Sequence, residues 1–295
     1  MYRIIFFVHP GQQLKCAENY VYWNQTGKHK RKFIRNTGYY IEKQGCAYRC
    51  SQGDLLFWGE WEPQSCITPI QVTDNRLLPN AIHKPFIVPN ERGRNSLNTD
   101  PFVFGETFYY SNCRQFYDYS RQHKQGYPSL RQLDYQDIIL FGTTYKNKKY
   151  EFALDTVFVV ANYITASYYS SCYKYLSNIY PEVFKLATLD ILKNLYKHRP
   201  DMKLYEGLMY DLSGNNQKGP FCFFPCKLYD KNNYSFARPL LCKNNINIDP
   251  PTQGIKIIQY RNYNDFLSKW DAIVNNVLKQ EYFLGIRSDM PKKLL

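Results

Sequence analysis

Long apolar runs are missing from this 295-residue chain, and no segment reaches the length of a membrane-spanning helix. The apolar stretch near the start, Ile4–Val8, is too short for a signal peptide and lacks its cationic start and small-residue cleavage site. A cytoplasmic protein with no membrane partner is therefore expected. Also missing are the G-x-x-x-x-G-K-[ST] phosphate loop, the G-x-G-x-x-G turn and the nucleophile elbow, which argues against P-loop, Rossmann and α/β-hydrolase enzymes. Histidine is scarce. The five present, His9, His29, His83, His123 and His198, are scattered, and they specify neither a metal site nor a Ser/Cys-His pair. The zinc-deaminase pattern is absent too, because Pro225-Cys226 has no second cysteine at the required distance.

Nine cysteines, an odd number at irregular spacings, argue for free thiols over a disulfide scaffold. The close pairs, Cys46/Cys50 and Cys222/Cys226, have C-x3-C spacing in place of the tighter C-x2-C knuckle, and Phe223, Phe224 and Pro225 fill one gap with bulk. No metal and no cofactor are expected. Acidic residues are also short: 25 Asp+Glu stand against 38 Lys+Arg, a formal net charge of +13. That balance points to a polyanionic partner, nucleic acid first, although an AT-rich genome would also raise the count of lysines.

Thr99–Gln115 is the most concentrated stretch of chemistry. Two carboxylates (Asp100, Glu106), two amides (Asn112, Gln115), Arg114 and five aromatic rings fall in a span with neither helical nor alternating periodicity. Gly105 permits a sharp turn that aims Glu106 back towards Asp100, so the stretch reads as a pocket wall. A turn in which Asp100 caps local amides while Tyr109 and Tyr110 fill core accounts for the same composition.

Along the chain, Tyr2–His9 reads as a buried first strand closed by Pro10-Gly11. Lys28, His29, Lys30, Arg31 and Lys32 follow, set among aromatic rings, a composition suited to tracking a nucleic-acid backbone and equally found in solvated loops. Gly53–Gly59 and Gln136–Gly142 share a scheme of Asp, four large apolar residues and Gly, and Phe152–Val160 is a further apolar strand. Between the two copies, residues 63–98 are rich in proline and carry Arg92 and Arg94 as candidate phosphate contacts. Helical spacing marks Ile179–Arg199 and Asp265–Tyr282, the latter with Asn264 as its cap, and Tyr163–Leu176 is a candidate third helix. The aromatic, proline-punctuated segment 205–239 lacks periodicity.

The Asp-led turns into buried strands at Gly53–Gly59 and Gln136–Gly142, with Phe152–Val160, resemble the PUA-like superfamily, which includes the EVE, ASCH and YTH domains. The resemblance covers at most the N-terminal half. It implies a small barrel that admits one base or modified nucleotide into an aromatic pocket, and insert 63–98 departs from that topology.

The expected fold is α+β: a mainly β part, residues 1–161, and a helical part, residues 162–295, packed on it. The expected function is nucleic-acid binding, DNA before RNA, with a single, modified base flipped into the pocket and excised by metal-independent N-glycosidic hydrolysis, an activity suited to defence or repair. Asp100, Glu106 and Asp155 are the candidate catalytic carboxylates. Trp58, Trp61, Tyr110, Asn112 and Gln115 would hold the base, and Lys28, Lys30, Arg31, Lys32, Arg92, Arg94 and Arg114 the backbone. No obligate protein partner is evident. A non-catalytic reader of modified bases and a small-nucleotide-binding module are the alternatives.

Overall fold

Ile4, Ile5, Phe6 and Phe7 are all buried, as a central strand covered on both faces requires. The computed structural model describes residues 1–9, 11, 13, 22–23, 31–44, 47–70, 77–89, 97–111, 115, 129–146, 150–166, 178–195, 202–212, 219–251 and 253–294. Among them fifteen strands occur: β1 (Tyr2–Val8), β2 (Tyr22–Trp23), β3 (Lys32–Gln44), β4 (Ala47–Gly59), β5 (Ser65–Pro69), β6 (Ala81–Ile87), β7 (Tyr109–Tyr110), β8 (Ile138–Lys146), β9 (Tyr150–Ala166), β10 (Met202–Gly207), β11 (Phe224–Leu228), β12 (Leu240–Cys242), β13 (Ile255–Tyr260), β14 (Phe283–Ser288) and β15 (Lys292–Lys293).

They form two sheets. The first runs β13-β1-β8-β9-β10-β7, with β12 also on β9; the second runs β14-β11-β4-β3-β6-β5-β2, with β15 on β6. Because β14 pairs with β3 as well as β11, strands β3, β4, β11 and β14 close into a ring. The sheets meet where Val157 of β9 bridges Phe223, just before β11, and where Phe104 bridges Ser288 of β14. One large apolar cluster fills the space between them, built from both halves of the chain.

The α+β expectation with a helical C-terminal part is corrected by this architecture: strands take 47% of the described residues and helices 17%. The physical reason lies in β10 to β14. Phe224, Pro225 and Cys226 of β11 are buried in succession, as are Leu284, Gly285 and Ile286 of β14, and residues covered on both faces leave no period-two alternation to read. Strand β9 continues through Ala166, so residues 163–166 of the expected Tyr163–Leu176 helix are extended; residues 167–176 lie outside the described residues. Each sheet draws strands from both sides of residue 161.

Two helical segments expected from spacing are present. Residues 182–195 are helical, as Glu182–Phe184, a wide-turned Lys185–Leu189 and Asp190–Leu195. The helix Tyr263–Lys279 buries Phe266, Trp270, Ile273, Val274 and Val277. Its cap is Asn262, two residues before the expected one: the Asn262 side chain accepts from the Asn264 and Asp265 amides at 2.7 and 3.4 Å. No helix among the described residues is long and apolar enough to cross a membrane.

Candidate functional site

The long β3–β4 hairpin sets up the site. Its antiparallel register pairs Lys32 with Gly59, so one step further Arg31 stands opposite Glu60. Arg31 Nη1 donates to Glu60 Oε2 at 2.5 Å, and Lys32 Nζ donates to Glu62 Oε1 at 2.9 Å. All four side chains are at most 2% exposed. The intervening Trp61 is fully buried, edge-on to Phe104, with Nε1 donating to the Gln64 carbonyl at 2.7 Å.

The first sheet answers with Asp155. The β8–β9 ladder pairs Phe141 with Thr156 and Gly142 with Leu154, which leaves Asp155 as the extra residue of a bulge. A bulge of this kind re-aims a side chain, and a Cβ on Gly142 would stand 2.2 Å from the Ala153 carbonyl, so the close approach requires glycine there. Asp155 accepts from Arg238 Nε and lies 2.9 Å from Arg31 Nε. The Arg31 N–H is not directed at that oxygen, so this second contact is an ion pair and not a hydrogen bond. Arg238 also donates to the Gly11 carbonyl at 2.7 Å and covers the Trp58 ring, 3.9 Å from its centroid.

Three more groups complete the cluster. His9, at the end of β1, has its amide on the Gly142 carbonyl at 2.7 Å and Nδ1 3.8 Å from Glu60 Oε2. The Asp100 amide donates to Glu60 Oε1 at 3.3 Å, while Asp100 Oδ1 accepts from the Ser111 amide at 2.8 Å. His83 Nδ1 is 2.8 Å from Ser65 Oγ. Burial, reinforced by the Lys32 charge and partly opposed by Glu62, lowers His83 to about 3, so its ring is neutral at neutral pH. Among the described residues the cluster gathers the carboxylates Glu60, Glu62, Asp100 and Asp155 around the cations Arg31, Lys32 and Arg238, in an interior where charges need partners.

The structure brings Asp100, Asp155, Trp58, Trp61, Arg31 and Lys32 to this cluster and places Glu106, Tyr110 and Gln115 elsewhere. Glu106 is exposed and ion-paired with Arg287. Tyr110 is fully buried and stacks on Tyr205. Gln115 uses its amide on the Lys203 backbone, donating to the carbonyl at 2.8 Å and accepting from the amide at 3.2 Å, as a neighbouring strand would. Arg31 and Lys32 face carboxylates in the interior. Lys28, Lys30, Arg92, Arg94, Asn112 and Arg114 lie outside the described residues. Cys222 and Cys226 are buried, which pushes both thiols up; Cys46 lies outside the described residues. Among the described residues no group of His, Cys, Asp and Glu is arranged to hold a metal ion.

Sequence reasoning missed Glu60, Glu62, His9, His83 and Arg238. A signal existed for the two glutamates: Glu60-Trp61-Glu62 continues an apolar strand, and hairpin register carries Arg31 and Lys32 to meet them. Nothing local marks Arg238 or His9, whose partners are distant in sequence. Comparison with protein-family models, with curated proteins and with solved structures finds no match.

Proposed function

We propose that the chain binds nucleic acid and hydrolyses the glycosidic bond of a single base, with Glu60, Asp155, Arg31, Arg238 and His9 as its acid–base centre. The observation that carries this reading is the meeting of Glu60 and Asp155, both buried, around the Arg31 guanidinium at the bulge of β9. Cleavage of a bond from base to sugar builds positive charge on the sugar, and a buried carboxylate favours that charge far more than it favours the neutral ground state. In this reading Asp155 opposes the cationic sugar, Glu60 takes the proton of the attacking water, and His9 passes a proton towards the leaving base. Arg31 and Arg238 hold the two carboxylates in place. Trp58, buried beneath Arg238, borders this centre. The net charge of +13 supports a polyanionic substrate.

A non-catalytic reader is the second reading, and one observation favours it: Glu60, Glu62 and Asp155 each already hold a buried cation, as structural ion pairs do. Incubation with modified and unmodified DNA and RNA, followed by detection of free base and alkali-labile abasic sites, separates the two. Free base from any substrate supports the enzyme, and binding without release supports the reader.

A further inference from the structure

Gly105 adopts a positive φ of 88°, and its amide donates to the Ser288 carbonyl at 2.6 Å, which turns the chain against the end of β14. A Cβ there would meet Met290 at 2.3 Å. The turn delivers Glu106 to Arg287 at the rim of a cleft of about 340 Å³, whose walls include Tyr109, Pro181 and Met290 and whose polar groups include Glu106, Arg287 and Asp289. That volume is near the small end of ligand sites, about 300–1,000 Å³.

The charges of this cleft are not settled among themselves. Glu106, 72% exposed, holds Arg287 from the solvent side. Arg287 Nε is buried and has no hydrogen-bond partner among the described residues. A guanidinium presents parallel donors matched to a carboxylate, so an unmet Nε is half of such a fork. Arg287 lies near the end of β14 and Asp289 just beyond it, and both line the cleft. A simple carboxylate would meet two like charges around one cation, and a simple amine would leave Nε unmet. A molecule carrying both groups satisfies each.

We infer that this cleft binds a small zwitterion with an apolar body, an α-amino acid of the leucine, methionine or phenylalanine kind. The ligand carboxylate takes the Arg287 fork and displaces Glu106; the ammonium rests against Asp289, and the side chain lies along Tyr109, Pro181 and Met290. The inference stands apart from the base-excision reading, since it uses none of the buried cluster.

Isothermal titration of the full chain with L-leucine, L-methionine and L-phenylalanine tests it, alongside N-acetyl-L-leucine and L-leucinamide, each of which blocks one charge. At least one free amino acid should bind with a Kd below about 1 mM, and blocking either end should weaken binding about tenfold or more. Arg287→Lys, which keeps the charge and removes the fork, and Asp289→Asn should each produce a similar loss with an unchanged melting temperature. The inference is overturned if no free amino acid binds at about 10 mM, if either blocked form binds as tightly as leucine, or if Arg287→Lys retains full affinity. The comparison of ligands uses the unaltered protein, so it decides the matter even if a variant fails to fold.

Discussion

Arg31 Nε lies 2.9 Å from Asp155 Oδ2, and through this contact the start of β3 in one sheet is tied to the bulge of β9 in the other. Both side chains are almost wholly buried, and the same guanidinium holds Glu60. The two sheets are thus joined at this end by charge as well as by the apolar core.

Removing Arg31 should therefore be expensive. Arg31→Met leaves Glu60 and Asp155 short of a cation in the interior, and urea denaturation at pH 7 should report a loss of about 3–5 kcal/mol. Adding Glu60→Gln should recover part of that loss, because the two substitutions act on one pair. A loss within about 0.5 kcal/mol, as at ordinary surface sites, would mean that the pair is solvated.

His83 predicts a pH dependence. Its folded value of about 3 lies below the unfolded value of 6.5, so between those limits the unfolded chain binds more protons and stability falls as pH falls. Relative to pH 8, His83 alone should cost about 2 kcal/mol by pH 5. In His83→Gln the gap in melting temperature between pH 8 and pH 5 should shrink. An unchanged gap would assign the acid sensitivity to other groups.

The strands legible from local pattern were those with continuous apolar runs: Tyr2–His9, Gly53–Gly59, Gln136–Gly142 and Phe152–Val160 each coincide with part of an observed strand. The helix near the C-terminus was legible because Phe266, Trp270, Ile273 and Val277 recur at three- and four-residue spacing. What escaped was non-local. Arg238 meets Asp155 across 83 positions, and Asn36 meets Ser288 across 252, contacts that no window of sequence contains. The site was half legible for the same reason. Asp100 and Asp155 were named as candidates, whereas Glu60 and Glu62 looked like the polar end of a strand until register placed cations opposite them.

Of the basic cluster, Arg31 and Lys32 are buried, and Lys28 and Lys30 lie outside the described residues. Lys32 is locked to Glu62 in the interior, so Lys32→Met should lower stability and leave the salt dependence of nucleic-acid binding in the folded fraction unchanged. Lys28→Ala with Lys30→Ala should do the reverse, reducing the slope of log K against log salt by about 0.9 per lost phosphate contact. Equal slopes for that double variant and the unaltered protein would remove these lysines from the interface.

The most direct measurement is single-turnover release of free base by the unaltered protein, Asp155→Asn and Glu60→Gln, each at saturating protein and below its own melting temperature. If the buried carboxylates act on charge that develops only in the transition state, both substitutions should cut the release rate by about 100-fold or more while nucleic-acid affinity stays within about twofold. Release at the unaltered rate in both variants, or no release from any DNA or RNA substrate by the unaltered protein, would contradict the account and leave the cluster as a clamp between two sheets.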